Sequence, residues 1–144
     1  MWLSQWGYQM LECSGSAWRL ALYARPSSRL PSSAHDQAFV GGVVLADAAV
    51  SSQKDMIFVR LQWRAEKTLS ADYKIFVHAF DEQGQLVGQH DAMPALWQRP
   101  TSTWHAGETI EDRHGLLLPP HTKPAYVLVG IYDPASGAAR LPTE

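Results

Sequence analysis

Strict alternation over residues 57–64 constrains the fold more than any other feature of the chain. Odd positions are apolar and even positions are mostly polar, which sorts the side chains into two sets: Ile57, Val59, Leu61 and Trp63, against Phe58, Arg60, Gln62 and Arg64. A period of two places successive side chains on opposite faces of a β-strand. We therefore predict a strand with one buried and one mostly solvated face, and we assign Trp63 to the core.

Several other segments have strand character and are separated by turn residues. They are residues 38–45, 73–81, 86–91, 109–118 and 125–133, with a short last strand at Arg140 and Leu141. Because residues 73–81 are apolar on both faces, we predict a central strand that is covered on both sides. The five-residue turn after it suits a hairpin with residues 86–91. Asp133, which precedes Pro134, is predicted to cap its own turn.

Two glycines interrupt the apolar segment 38–45. Gly41 and Gly42 lie in the middle of AFVGGVVL, where they predict a strand that contains a β-bulge. A phosphate-binding loop is not indicated, because no helix is expected to follow these glycines.

Six or seven short strands without a persuasive amphipathic helix predict an all-β fold, an antiparallel β-sandwich of immunoglobulin-like or jelly-roll type. The length of 144 residues suits one core. Residues 9–12 and 18–24 predict a hairpin with its turn at residues 13–16, and a helix over residues 18–24 is the alternative. Residues 25–37 contain two prolines and four serines, which is typical of a linker. We therefore predict two parts: a loosely integrated N-terminal hairpin and linker, residues 1–37, and the sandwich domain, residues 38–144.

Charge and composition exclude several classes of function. The net charge is −2, which gives no electrostatic basis for binding nucleic acid. No apolar segment is long enough to span a bilayer, and the N-terminus lacks the pattern of a signal peptide, so the chain itself is expected to be soluble. The single cysteine, Cys13, excludes an intramolecular disulfide and leaves the compartment open.

Three segments together resemble a known family: residues 72–91, 99–120 and 125–142. They are similar to the soluble C-terminal β-sandwich of bacterial multi-pass membrane glycosyltransferases, which take sugars from polyprenyl-phosphate donors. In that family the catalytic carboxylates lie in loops of the transmembrane part, which has no counterpart in this sequence. The resemblance implies a non-catalytic accessory domain on the extracytoplasmic, periplasmic side. Its implied partners are a glycan or the membrane-embedded part of the enzyme.

Two tryptophans in the irregular segment before residue 109 are the first candidates for ligand binding. Trp97 and Trp104 have Arg99 and His105 close in sequence, and loops on a rigid scaffold are where binding residues collect. Such rings stack on sugars, and the polar neighbours would bind hydroxyl groups. The alternative, which we favour, is that both rings are buried and close the open end of the sandwich.

Histidines and carboxylates are the second set of candidates. If Phe80 pairs with Leu86, His90 lies opposite Phe76 and diagonal to His78, so that two rings approach each other on one face. Asp112 and His114 share a face of a later strand and would complete a zinc site. Histidines that are hydrogen-bonded on half-buried faces are the commoner situation, and no metal or other cofactor is predicted. A loop calcium site at Asp81, Glu82, Asp91 or Asp133 is a further minority alternative.

Three functions remain open, and an independent enzyme is not expected, because no nucleophile motif such as G-x-S-x-G is present. The leading hypothesis is the accessory domain implied by the resemblance. The second is a free-standing carbohydrate-binding module that uses Trp97 and Trp104. The third is a structural docking domain that uses Trp2, Trp6 and Trp18.

Overall fold

The computed structural model describes residues 7–30, 33–39, 41–137 and 139–143, and at residues 18, 19, 35 and 139 it describes the backbone alone. These residues form ten β-strands and two single turns of 3₁₀ helix, Thr101–Thr103 and Pro134–Ser136. The strands are β1 (Tyr8–Gly15), β2 (Trp18–Ala24), β3 (Ser33–Phe39), β4 (Val43–Gln53), β5 (Met56–Ala65), β6 (Lys74–Phe80), β7 (Leu86–Ala92), β8 (Thr109–Leu117), β9 (Tyr126–Asp133) and β10 (Ala139–Arg140).

Two four-stranded antiparallel sheets make up the main body. Sheet I has the order β3-β4-β5-β8, and sheet II has the order β10-β9-β6-β7. One apolar core joins their inner faces, and β5 and β6 contribute most of its side chains. The all-β antiparallel sandwich predicted from the sequence is therefore confirmed, as is the position of β6 between two neighbours in its sheet.

The alternation of β5 produces the inner face that was predicted. The side chains of Ile57, Val59, Leu61 and Trp63 are all fully buried. Each large apolar side chain removed from water in this way contributes roughly 1.5–3 kcal/mol. The partner face of β6 supplies three more buried residues, Ile75, Val77 and Ala79.

Gly41 and Gly42 lie in a turn between two strands and not in a β-bulge, so the prediction for residues 38–45 is wrong. β3 ends at Phe39 and β4 begins at Val43, and the two glycines lie in the turn between them. Their φ angles of 111° and 86° are in the left-handed region, which glycine enters without a steric penalty. A continuous strand is excluded, because both positions need this conformation.

The bulge of sheet I lies further along β4. Pairing with β5 moves from Leu45 opposite Trp63 to Asp47 opposite Gln62, which leaves Ala46 as the extra residue. Asp47 accepts a hydrogen bond of 2.9 Å from the guanidinium of Arg60. Arg60 lies on the outer face of β5, so the bulge brings this carboxylate to the outer face of sheet I.

The N-terminal hairpin covers part of the outer face of sheet I. β1 and β2 pair as predicted, with the turn at Ser16 and Ala17, slightly beyond the predicted position. Tyr8 and Met10 of β1 form a second apolar cluster with Phe58, which is fully buried although it lies on the outer face of β5. The cluster explains why Phe58 breaks the polar pattern of that face. Its remaining buried members are Leu30 and Ala49.

Part of the predicted linker is a strand. Residues 33–37 belong to β3, which pairs with β4 at the edge of sheet I, so the linker assignment is wrong for these residues. An edge strand needs hydrogen bonds to one neighbour only, and its side chains can be small and polar. The proposed boundary between residues 37 and 38 therefore falls inside a strand.

No described helical segment is long and apolar enough to cross a membrane.

Candidate functional site

The irregular segment after β7, residues 93–108, is fixed to the sandwich by polar contacts. The buried hydroxyl of Thr101 accepts a hydrogen bond of 2.8 Å from the Tyr73 N–H and donates one of 2.6 Å to the Ala71 carbonyl. The N–H of Ser102 donates to Asp72 at 3.0 Å. Each such bond contributes about 1 kcal/mol and removes freedom from the loop. The segment is therefore a defined platform for side chains.

Trp104 is part of the core. Its side chain is fully buried, and its indole N–H donates a hydrogen bond of 3.0 Å to the Arg99 carbonyl. A ring with no exposed face cannot stack on a sugar. The structural alternative holds for Trp104, and its proposed role in ligand binding is wrong.

Arg99 and His105 belong to a small closed loop around Glu108. The Arg99 guanidinium donates a hydrogen bond of 2.6 Å to one oxygen of Glu108, and the backbone N–H of His105 donates one of 2.9 Å to the other. These two bonds, with the Arg99 bond the larger cause, hold the pKa of Glu108 below its ordinary value. The Arg99 charge is thus directed to Glu108, while the His105 side chain is exposed.

Trp97 is presented to solvent on a left-handed turn. Its side chain is 50% exposed, and Ala95, Leu96 and Trp97 have φ angles of 52°, 53° and 69°. Each non-glycine residue in this region costs roughly 1–2 kcal/mol. Strain of this kind persists only where the surroundings hold the chain, and it is concentrated at functional sites. Of the two tryptophans predicted to bind ligand, Trp97 alone has an open face.

A buried carboxylate holds the turn that presents Trp97. The Ala95 N–H donates a hydrogen bond of 2.9 Å to Oδ1 of Asp112, which is 1% exposed on the inner face of β8. Further bonds within the turn run from the N–H of Trp97 to the Met93 carbonyl at 3.1 Å, and from the N–H of Arg99 to the Pro94 carbonyl at 3.2 Å. The interior of the sandwich thus fixes the start of the turn.

Asp112 is itself the buried end of a series of three hydrogen-bonded side chains that joins the two sheets. Its Oδ2 lies 2.7 Å from Nε2 of His114, and Nδ1 of His114 lies 2.8 Å from Nδ1 of His90. An ionised carboxylate only accepts, so Nε2 of His114 carries a proton. One proton alone fits between the two Nδ1 atoms. The contact therefore persists only while one of the two rings is neutral.

The charges of Asp112 and His90 are set by their surroundings. Burial, together with the charge of His114, lowers the pKa of His90 to about 4, against the opposing effect of Asp112. Burial alone would raise the pKa of Asp112, but the charge and hydrogen bond of His114 and the Ala95 N–H hold it below its ordinary value. At neutral pH, Asp112 is therefore an anion and His90 is neutral.

The assumed register of β7 is wrong, so the four candidate zinc ligands do not share one face. Phe80 does pair with Leu86, but the next pair is Ala79 with Gly88, so one residue of β7 is extra. A slip of one residue moves every following side chain to the other face. His90 therefore lies opposite Val77 and faces inward, and His78 lies on the opposite face.

Of the four metal candidates, the structure brings His90, Asp112 and His114 together and leaves His78 apart. The three are hydrogen-bonded to one another, and no group of three or more metal-ligating side chains among the described residues is arranged to hold a metal ion.

Two of the calcium candidates cap turns. Asp81 caps its own turn, accepting from the N–H groups of Gln83 and Gln85. Asp133 caps the Ala135 N–H at 2.8 Å, as predicted.

The outer face of sheet II presents aromatic rings beside polar side chains. β6 lies in the middle, and its register with β7, β9 and β10 places one set of side chains on this face. We name this set the aromatic face, and it consists of Lys74, Phe76, His78, Phe80, Gln89, Asp91, Tyr126, Leu128, Tyr132 and Arg140. Trp97 adjoins it at one end, where Lys74 Nζ lies 4.8 Å from the centre of the indole ring.

Phe76 is the centre of the aromatic face. Its ring lies over Gly130, where an added Cβ would come within 2.2 Å of the ring. The Arg140 guanidinium lies 4.6 Å from the ring centre, and the His78 ring is 4.9 Å away. Glycine in β9 is thus what allows a phenylalanine to lie flat on the sheet, with a cation stacked above it.

Further side-chain contacts order the aromatic face near its centre and at its Phe80 end. Nε2 of His78 lies 3.0 Å from Oδ1 of Asp91, and burial together with the nearby Asp91 carboxylate raises the pKa of Tyr132. At the Phe80 end, Phe80 and Tyr126 stack, with ring centres 5.2 Å apart and planes inclined by 14°. The face therefore combines fixed rings with hydrogen-bonding groups.

Sequence reasoning missed the aromatic face because it treated residues 73–81 as covered on both sides. Phe76 is buried by its neighbours on the face, and His78 and Phe80 are only partly covered. A signal was present in the sequence. Lys74 and His78 alternate with the phenylalanines on one face, and a fully covered face would not include a lysine.

Comparison of the chain with protein-family models, with curated proteins and with solved structures finds no match. The resemblance to the membrane glycosyltransferases therefore stays a prediction.

Proposed function

We propose that this chain is a non-catalytic accessory domain that binds a glycan on the aromatic face, with Trp97 at one end of the binding surface. In agreement with the family resemblance, the domain would act on the extracytoplasmic side. There it would present the glycan to, or pack on, the membrane-embedded catalytic part of a glycosyltransferase.

The aromatic face is the observation that carries this proposal. Sugar rings offer one apolar face and a rim of hydroxyl groups, so a matching surface combines flat aromatic rings with hydrogen-bonding side chains. Trp97 and Tyr126 supply exposed rings, with 50% and 52% of their surface open. Asp91 and Arg140 supply the charged groups that would contact hydroxyls.

The length of the face favours an extended ligand. Lys74 and Phe80 lie at the two ends of β6, which spans roughly 20 Å at the usual rise per residue. Trp97 adjoins the Lys74 end, and Tyr126 lies opposite Phe80 at the other end. Rings at both ends of an open surface suit an oligosaccharide better than a single sugar.

Preorganisation supports binding at this face. The rings are held by stacking, by Gly130 and by the Asp112 contact to the Trp97 turn, so little side-chain freedom is lost when a ligand binds. The three hydrogen-bonded side chains of Asp112, His114 and His90 support the turn that presents Trp97. Their hydrogen bonds join the three side chains to one another and to the Ala95 N–H, which suits a structural role and not catalysis.

A protein-docking function is the second candidate, and the apolar end of the same face favours it. Leu86 and Tyr126 lie on either side of Phe80, Leu128 follows two residues after Tyr126 on the same face, and the three are 49%, 52% and 40% exposed. Exposed apolar groups in contact with one another are typical of interaction surfaces. The partner would be the catalytic part of the enzyme. The docking tryptophans Trp2 and Trp6 lie outside the described residues, and of Trp18 only the backbone is described.

The proposal is tested by titrating labelled protein with mono- and oligosaccharides while following the indole N–H signals of the six tryptophans by NMR. Trp97 should shift and saturate, and the buried Trp63 and Trp104 should not. The variants Trp97→Ala and Asp91→Ala should weaken binding. Leu117→Ala is the matched control, because Leu117 is 48% exposed on sheet I and far from the face.

Two results would count against glycan binding. One is the absence of any Trp97 shift at millimolar oligosaccharide, which would leave the docking function as the better explanation. The other is equal weakening by Leu117→Ala, which would show that the variants act through stability and not through contact with the sugar.

A further inference from the structure

A basic cavity lies on the opposite side of the sandwich from the aromatic face. Its volume is about 440 Å³, and it lies between residues 25–30, which follow β2, and the outer face of sheet I. Small-ligand sites are commonly a few hundred Å³ in volume. Four arginines and one carboxylate line it, namely Arg25, Arg29, Arg60, Arg113 and Glu111. The arginines come from three separate parts of the chain, and the fold brings them to one place.

Two of the arginines form the floor of the cavity and are oriented by carboxylates. Arg60 donates a hydrogen bond of 2.9 Å to Asp47, and both side chains are largely covered, with exposures of 16% and 10%. Arg113 pairs with Glu111 on β8 and also lies 6.0 Å from the centre of the Tyr8 ring. A guanidinium held in this way keeps a fixed direction in which to meet a ligand.

The segment 25–30 forms the opposite wall and is anchored at two points. The Ser27 N–H donates a hydrogen bond of 3.0 Å to the side chain of Gln53, and Leu30 is buried in the apolar cluster under the hairpin. Between these anchors, Arg29 is exposed at the cavity, and Arg25 lies just before the first anchor. The wall is therefore positioned although its arginines face solvent.

We propose that this cavity binds the phosphate group of a small phosphorylated ligand. Arg60 and Arg113 are paired with Asp47 and Glu111, and Arg25 and Arg29 add two further positive charges, so the cavity keeps an excess of positive charge. The planar guanidinium matches the oxygens of phosphate in a paired, charge-assisted geometry that a single ammonium cannot reproduce. Ser27 and Ser28 also line the cavity and offer hydroxyl donors.

This site does not depend on the proposed glycan function. It is built on sheet I and the hairpin, whereas the aromatic face is the outer face of sheet II. The two proposals also have separate readouts, since the sugar titration follows Trp97 and the phosphate titration follows heat. Failure of one therefore leaves the other unaffected.

Isothermal titration calorimetry of the full chain at fixed ionic strength tests the proposal, with inorganic phosphate, pyrophosphate, a sugar 1-phosphate and succinate as probes. Pyrophosphate should bind saturably, and Arg29→Gln and Arg113→Gln should each weaken it about tenfold, the expected loss for one charge-assisted contact. Arg29 is exposed, so its variant should keep the fold. Arg64→Gln is the matched control, because Arg64 lies on the outer face of β5 outside the cavity and pairs with Asp36.

The possible outcomes separate clearly. Binding that weakens with Arg29→Gln and not with Arg64→Gln supports the site. Tighter binding of the sugar 1-phosphate would identify a phosphorylated sugar as the source, and equal binding would identify the free anion. The absence of binding, equal binding of succinate, or equal weakening by Arg64→Gln would overturn the proposal.

Discussion

The backbone N–H of Ala95 donates a hydrogen bond of 2.9 Å to the carboxylate of Asp112, which is almost completely buried. Ala95 begins the left-handed turn that exposes Trp97, and Asp112 is bonded to His114 in the interior. One contact thus links the charged interior of the sandwich to the most exposed tryptophan among the described residues. The stability of the interior and the presentation of Trp97 should change together.

Asp112→Asn tests this link. Asparagine keeps one oxygen that can accept from Ala95, but it places an N–H₂ donor where His114 needs an acceptor, and the charge is lost. We expect the free energy of unfolding to fall by about 1–3 kcal/mol, as for a buried polar group that loses its partner. The Trp97 indole signal should also broaden or move in NMR spectra, because the Ala95 N–H then donates to a neutral amide oxygen that the contact with His114 no longer holds in place.

Asp133→Asn is the control for the loss of a carboxylate. Asp133 also accepts a backbone N–H, that of Ala135 at 2.8 Å, but it lies at the surface and asparagine is an equally good cap. Its variant should stay within about 0.5 kcal/mol of the unmodified protein. An Asp112→Asn protein with unchanged stability and an unchanged Trp97 signal would contradict the link.

Stability should fall as the pH decreases from about 6.5 to about 4, because of His90. Its pKa is lowered to about 4 in the folded protein, so in this window the unfolded chain binds more protons than the folded one. The contribution is complete above the ordinary pKa of histidine, is lost on acidification and amounts to at most about 3 kcal/mol. The groups whose charges act on His90 are His114, Asp112, Asp91 and Glu12.

The pH effect is measured by urea unfolding at several pH values, with His90→Gln as the comparison. Glutamine keeps a polar side chain next to His114 but does not titrate, so the slope between pH 6.5 and 4 should become smaller. Asp112 contributes at a lower pH, because its pKa lies below its ordinary value and its stabilisation is lost only when the carboxylate is protonated. Equal slopes in the two proteins would show that His90 does not cause the effect.

The sequence was sufficient to predict most of the strands and the inward side chains of β5, because alternation is a local property. Ile57 to Trp63 follow a strict period of two, and all four inward positions are buried. The same reasoning failed at His90, because one extra residue in β7 reverses the faces of everything that follows. A bulge in a strand of mixed polarity leaves no signal in the alternation, so the pairing of His90 with His114 was out of reach.

Burial of the two loop tryptophans was equally unpredictable from local pattern. Trp97 and Trp104 lie seven positions apart in one irregular segment, yet one is half exposed and the other is in the core. The difference depends on the long-range bonds of Thr101 and Asp112, which join the segment to distant strands. The arginine cavity has the same origin, since Arg29, Arg60 and Arg113 form no cluster in the sequence.

Alanine variants of these two tryptophans should have very different effects on stability. Trp104→Ala removes a fully buried ring and the hydrogen bond to the Arg99 carbonyl, so it should lower the free energy of unfolding by about 3–5 kcal/mol. Trp97→Ala removes a half-exposed ring and should cost less than about 1 kcal/mol. Thermal unfolding followed by circular dichroism measures both, and similar losses for the two would contradict the assignment.

Gly130→Ala should displace the Phe76 ring at the centre of the aromatic face. An added Cβ at Gly130 would lie 2.2 Å from the Phe76 ring, so the ring must leave its position and lose its contact with Arg140. Overpacking of this kind costs about 1–3 kcal/mol. We therefore expect lower stability by urea unfolding and, if the face binds glycan, a weaker Trp97 response in the sugar titration.

Gly115→Ala separates damage to the face from loss of stability. An added Cβ at Gly115 would lie 2.5 Å from the Gln9 carbonyl, between β8 and the N-terminal hairpin, so this variant should also be destabilised. Gly115 belongs to sheet I, and its substitution leaves Phe76, Arg140 and Trp97 untouched. Sugar binding should therefore survive in Gly115→Ala and weaken in Gly130→Ala at comparable stability. If both variants lose binding equally, the contribution of the aromatic face is disproved.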